Sequence, residues 1–253
     1  MNQLRLCSVA ALLLTASVAM MPVRAGERRF AFSYEADTAP AGTREFEQWI
    51  TWKSDKATNH DFEEFTFREE FEFGITDRLQ LGVYLADWRI LRGTDNDGTT
   101  FRDTGFDLIY NLTDPTTDWL GSALYGEMLV GPDKFVLEGK LLLQKNIGKW
   151  MLVANTVIEA EWEGDDREEQ IGVWQNTFGV SYQIRPALTI GAEARHEVEF
   201  ADWEEAGEHV WYAGPNFSYR RKNCFIVVAP LFQVSDIASE PDFMTRTIFG
   251  FHF

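Results

Sequence analysis

The residues best placed to do chemistry are carboxylates spaced at alternate positions. Glu64, Arg68, Glu70 and Glu72 share one parity of their segment, and Glu193, Arg195 and Glu197 share one parity of another. Asp103 with Asp107, and Glu138 with Lys140, repeat the spacing, and Arg246 adds a late base. A period of two puts such residues on one face of a strand. The same parity rule adds Glu45, Glu47, Glu127, Glu159, Glu161 and Glu199 to that face, against the few bases Arg68, Arg78, Lys140, Arg195, Arg220 and Arg246. Carboxylates lining a water-filled space favour cations over anions. The same charges could equally be salt-bridged struts filling a narrow, closed interior.

Other chemistry is poorly supported. Asp95-Asn96-Asp97-Gly98 resembles the first half of a calcium loop, but no Glu stands at the closing position, so it reads as a polar surface turn and no metal site is expected. The four histidines are His60, His196, His209 and His252. His196 falls on the apolar parity between Ala194 and Val198, yet no Gly-x-Ser-x-Gly or His-x-x-x-His pattern accompanies it. No catalytic residue and no cofactor are expected. Glu69 also falls on the apolar parity, where a local bulge shifting the register is the simpler reading.

These residues need a scaffold, and the start of the chain says where it is built. A short basic Met1–Arg5, an apolar Leu6–Met21 and Val23-Arg24-Ala25 ahead of Gly26 read as a signal peptide over residues 1–25. Removing Arg5 and Arg24 from the 23 basic residues leaves 21 against 40 acidic, a charge of about −19. A chain so acidic does not seek nucleic-acid phosphates. Cys7 leaves with the leader, so Cys224 has no intramolecular disulfide partner. No segment after the leader approaches the ~18 consecutive apolar residues of a spanning helix.

Twelve strands account for the rest: Thr43–Lys53, Asp61–Gly74, Arg78–Trp88, Phe101–Leu112, Trp119–Leu129, Phe135–Lys145, Trp150–Trp162, Glu169–Gln183, Leu188–Phe200, His209–Arg220, Cys224–Val234 and Asp242–Phe253. Arg78–Trp88 alternates throughout, with Gln80, Gly82, Tyr84 and Ala86 on the inward parity. Cys224–Val234 is apolar on both faces and its register is open. Residues 26–42 read as a periplasmic lead-in, with a thirteenth strand as the alternative. The connections after Gly74, Leu112, Lys145, Gln183 and Arg220 are turn-like, and the others tend to be longer or more acidic. Aromatic residues make up 14% of the chain, with 20 Phe and 9 Trp. Phe73, Tyr110, Trp150, Tyr182, Tyr219, Phe225 and Phe253 fall beside the tight turns on the apolar parity, as a membrane-interface girdle would. The expected fold is all-β, a transmembrane antiparallel up-and-down barrel over residues 43–253.

The last segment, with Phe249, Phe251 and Phe253 on one parity, resembles the C-terminal strand of Gram-negative outer-membrane β-barrels. With the leader, Gly74–Gly82, Ala213–Tyr219 and Gly250–Phe253, the chain is similar to a family of small porin-like outer-membrane proteins. That resemblance implies outer-membrane location, contact with outer-membrane lipid and lipopolysaccharide, and reading of the final phenylalanines by the barrel-assembly machinery. It implies at most a channel-like role, and the acidic inward parity would bias such a channel toward small cationic solutes. A closed structural or partner-binding barrel with acidic outer loops is the second reading, and a lipid-modifying enzyme using His196 the third.

Overall fold

A computed structural model describes residues 28–164 and 166–253; the expected leader and residues 26–27 lie outside them. The strands are Arg44–Lys56 (β1), Asn59–Thr76 (β2), Leu79–Arg92 (β3), Gly98–Thr113 (β4), Gly121–Val130 (β5), Lys134–Ile147 (β6), Trp150–Glu163 (β7), Glu169–Arg185 (β8), Leu188–Ala201 (β9), Glu205–Ala206 (β10), Val210–Arg221 (β11), Cys224–Gln233 (β12) and Pro241–His252 (β13). β10 only extends the edge of β9. The other twelve pair antiparallel with their neighbours, and β1 pairs β13, so the sheet closes on itself. Closure leaves no unpaired edge, the condition for a β-structure in hydrocarbon.

Alternation decides which way each side chain points. Along β7, Leu152 and Ile158 face out and are exposed, whereas Met151, Val153, Asn155 and Val157 face in and are buried. Exposed rings form a girdle at the tight-turn end, including Tyr110, Trp150, Tyr219, Phe251 and Phe253. The wall therefore presents an apolar band to a bilayer, as a transmembrane β-barrel does. The loop asymmetry is weaker than expected. Residues 114–120 form an extended loop at the tight-turn end, while residues 57–58 form a short turn at the opposite end.

Four expectations need correction. Glu69 does face outward: the irregularity opposite it lies on β3, where Leu85 and Ala86 are accommodated between inward Tyr84 and Asp87. Ala86 thereby loses its inward place to Asp87. Phe225 is not part of the outer girdle, because its ring points into the barrel at 2% exposure over Gly250, its cross-strand partner. Residues 28–42 are neither a thirteenth strand nor a periplasmic tail. Residues 28–39 run inside the barrel, where their backbone bonds mainly to inward side chains, and residues 40–42 turn into β1, with the Gly42 N–H donating to the Gly74 carbonyl of β2.

The apolar core accordingly lies in the lumen. Ala31, Phe32, Tyr34 and Ala36 of the internal segment cluster with inward Trp49, Ile109, Tyr125, Leu142, Phe225, Val227, Leu231 and Ile248. A Cβ on Gly250 would strike the Phe225 ring. Gly250→Leu should therefore lower barrel stability by about 1–3 kcal/mol, the usual range for an overpacked site. The thermal midpoint of the heat-modifiable electrophoretic band would report it, and an unchanged midpoint would show that Phe225 moves aside freely.

Candidate functional site: the barrel lumen

Inward side chains at the tight-turn end receive the internal segment one peptide group at a time. The Glu193 carboxylate accepts from the backbone N–H groups of Ala31 (2.8 Å), Phe32 (2.8 Å) and Ser33 (2.9 Å). Asn155 brackets Tyr34, accepting from its N–H at 2.7 Å and donating to its carbonyl at 3.0 Å. Ala36 N–H donates to Gln144 and Ala39 N–H to Gln80, both at 2.8 Å. Asn111 donates to the Ala36 carbonyl, and Asn216 to the Arg29 carbonyl. A buried peptide group left unpaired is costly, and these amides and this carboxylate remove that cost. Phe30 is fully buried against Met151 and Val153, and a Cβ on Gly179 would stand 2.6 Å from its ring.

Arg28 anchors the near end of the segment. Its guanidinium lies 2.9 Å from Glu47, 3.0 Å from Glu72 and 3.9 Å from Glu70, and it stacks 4.5 Å from Tyr34 and 4.6 Å from Trp49. Glu45, Glu47 and Glu72 bring one carboxylate oxygen each within 4.8 Å of one another, a grouping able to hold a cation. Two of the three already have Arg28 as that cation. Asp107 is buried beside Glu70, both lying where a Cβ on Gly82 would fall. Removing one partner of a buried ion pair such as Arg28–Glu47 typically costs about 3–5 kcal/mol.

Toward the other end the lumen widens into a vestibule of about 480 Å³ whose floor is Phe32 and Tyr34. Glu64, Arg68, Asp103, Glu138, Lys140, Arg195, Glu197 and Arg246 line it, so these eight candidates share one cavity. Glu70, Glu72, Asp107 and Glu193 lie below, among the contacts of the internal segment. In the vestibule Arg68 bonds Asp87 at 3.1 Å and lies 3.8 Å from both Asp103 and Glu127. Lys140 pairs with Glu138 at 2.8 Å and sits over the Tyr34 and Tyr125 rings. Arg246 donates to Thr51 and to the Ala31 carbonyl and stacks on Phe32. Arg195 pairs with Glu197, leaving Glu193 to the internal segment. Ten acidic and seven basic residues line the cavity.

Sequence reasoning missed Arg28, Trp49, Asn111, Gln144, Asn155 and Asn216. Two signals pointed to them. Neutral amides recur on the inward parity near the tight turns, and β12 is apolar on its inward face as well as its lipid face. In the 93–97 connection, Asp97 accepts from the Thr94 N–H at 2.8 Å, and that bond holds its carboxyl below the usual aspartate range. Those contacts shape a turn. Phe249, Phe251 and Phe253 are exposed on the outer face, with Phe253 edge-on to Phe71.

A pattern built from related sequences matches residues 22–240. The chain belongs to a family of unknown function (DUF6662). No curated protein matches it. Among solved structures, this family member is similar in fold to the COG4313 outer membrane channel from Pseudomonas putida F1, with 11% identity, a TM-score of 0.61, and 86% of this chain and 98% of that one covered. The NanC porin follows at 10% identity and a TM-score of 0.53, covering 82% and 98%. LpxR from Salmonella typhimurium has 11% identity and a TM-score of 0.53, covering 83% and 100%. At these identities the likeness is one of fold, that of porin-like outer-membrane barrels.

Glu193→Gln tests the seat of the internal segment. An amide presents one acceptor oxygen, and its NH₂ would oppose N–H donors. With its oxygen turned toward Phe32 and Ser33, the amide leaves the Ala31 N–H without an acceptor, and losing that charge-assisted bond at about 1.5–3 kcal/mol should speed hydrogen exchange of the Ala31 amide at least ~10-fold. Unchanged protection in a folded barrel would mean that Glu193 does not hold the segment.

Proposed function

We propose that the protein is a non-catalytic outer-membrane channel for small solutes, with a vestibule that favours cations and an internal segment that closes it at rest. The observation that carries this reading is the floor of the vestibule. Phe32 and Tyr34 belong to a segment held by side-chain hydrogen bonds and one arginine, not by strand pairing. A wall strand cannot leave a closed barrel without breaking its ladder, but such a segment can be displaced with the barrel intact. The excess of acids over bases around the cavity supports a cation bias through the focused field of a low-dielectric wall. The outward phenylalanines of β13 support recognition by the barrel-assembly machinery, and the apolar wall supports contact with outer-membrane lipid.

Planar-bilayer recordings across a salt gradient, on the refolded chain from Gly26 onward, test the reading. Wild type should be mostly quiet. Arg28→Ala, which leaves the Glu47, Glu70 and Glu72 carboxylates without their guanidinium, should raise open probability at least tenfold. Deletion of residues 28–39 should give sustained openings. The reversal potential should lie on the cation side, and Glu159→Gln with Glu199→Gln should move it toward zero. Silence from a correctly folded deletion variant would overturn the channel and favour a closed, partner-binding barrel. An anion-side reversal potential would overturn the cation bias.

A further inference from the structure

Register sets like charges against one another at the Arg28 end of the lumen. Glu45 stands directly opposite Glu72, and Glu47 opposite Glu70, across β1 and β2. Asp107 stands opposite Gly82, which is itself the partner of Glu72. Like charges directly opposite across a strand pair are destabilising, and here two such pairs follow one another. All five carboxylates are at most 3% exposed, where an uncompensated charge is costly. Among the described residues, the bases paired with them are Arg28, on Glu47, Glu70 and Glu72, and His252, whose Nδ1 lies 2.6 Å from Glu45. Five carboxylates against two bases leave an excess of negative charge that protons or a further cation must offset.

Individual oxygens show where such a cation would sit. Glu45 Oε1, Glu70 Oε2 and Asp107 Oδ2 are buried with no hydrogen-bond donor among the described residues. Other buried lumen carboxylates are bonded: Glu193 accepts from the internal segment, and Glu127 accepts from Tyr84 and Tyr125. Glu45, Glu47 and Glu72 bring one oxygen each within 4.8 Å of one another. Oxygens bound to one calcium ion at about 2.3–2.6 Å can stand no more than ~5 Å apart, so this spacing fits a shared ion. The three side chains of that grouping are carboxylates, a donor set for a hard cation rather than for zinc or copper. The guanidinium of Arg28, seated on two of them, shows that the cluster takes a cation.

We propose that Glu45, Glu47 and Glu72 form a calcium site, and that calcium binding there displaces Arg28 and frees the internal segment. The displacement rests on the reading of residues 28–39 as a releasable plug; the site itself does not. Glu47 and Glu72 serve both cations, so guanidinium and calcium compete for them. Glu45 separates the two, because it belongs to the grouping but pairs with His252 and not with Arg28. Linkage makes the competition reciprocal: calcium weakens the seat of Arg28 by the factor by which Arg28 weakens calcium binding. Glu70, 3.9 Å from the guanidinium, adds negative charge beside the same site.

Terbium luminescence tests the site on the refolded chain from Gly26 onward, since terbium shares calcium's preference for oxygen ligands. The Trp49 indole donates to Glu47 Oε2 at 2.6 Å, which places its ring to sensitise an ion bound there. Emission on tryptophan excitation should rise to one ion per barrel and be reversed by calcium. Glu45→Gln keeps the pairs of Arg28 and should weaken binding at least tenfold, with the heat-modifiable band unchanged; Glu72→Gln should weaken it as well. Arg28→Ala should tighten it at least tenfold. Calcium should also speed hydrogen exchange of the Ala31–Ser33 amides at least tenfold in wild type and leave Glu45→Gln unaffected. Absent emission, or equal affinity in wild type, Glu45→Gln and Glu72→Gln, would overturn the site and leave protons to neutralise the cluster. Binding without faster exchange would overturn the displacement of Arg28. Neither readout needs conduction, so a silent barrel showing both would overturn the channel and keep the site.

Discussion

The Glu193 carboxylate accepts hydrogen bonds from three consecutive backbone N–H groups in the middle of a lumen, and the organisation of the interior follows from it. A peptide segment inside a barrel has no ladder to join. It can be buried only if side chains from the wall supply what neighbouring strands otherwise would. Glu193, Asn155, Gln144, Gln80, Asn111 and Asn216 do so at successive peptide groups. The charge of Glu193 strengthens bonds that neutral amides could make only more weakly.

That arrangement divides the lumen into two regimes. Near the tight turns the interior is packed: aromatic side chains of the segment lie on apolar inward faces, and Arg28 neutralises part of a carboxylate cluster. Toward the loops the charges meet a cavity, where cations and acids interleave and stack on rings. A closed floor and the vestibule above it thus come from one chain, and the element that separates them is tied to the wall by side chains and not by a strand ladder. On the outer wall, alanines and outward polar side chains, Thr156, Asn176 and His196 in one place and Gln48 with Glu69 in another, interrupt an apolar lipid-facing surface.

Much of the barrel was legible because strand alternation is a local property. Twelve strands, their order and the inward parity of Glu64, Arg68, Asp103, Glu138 and Arg195 follow from a period of two. The misplacements have a common cause. Phe225 faces inward because Gly250 makes room for its ring across the strand pair, and Ala86 gives way to Asp87 at a bulge. Neither a cross-strand vacancy nor a bulge leaves a mark on the periodicity of one segment.

By itself, then, the sequence determined the closed all-β wall, its lipid-facing aromatics and the acidic parity of the interior, since each rests on side chains alternating along a single strand. Tertiary structure alone decided that residues 28–39 fill the lumen. Phe30, Phe32 and Tyr34 alternate as a strand would, and an inward-facing Asn or Gln looks the same whether it meets water or a peptide group. Only closing the ring brings Glu193, Asn155 and Gln144 around one axis, and it is their convergence on that axis that turns an extended segment into a plug.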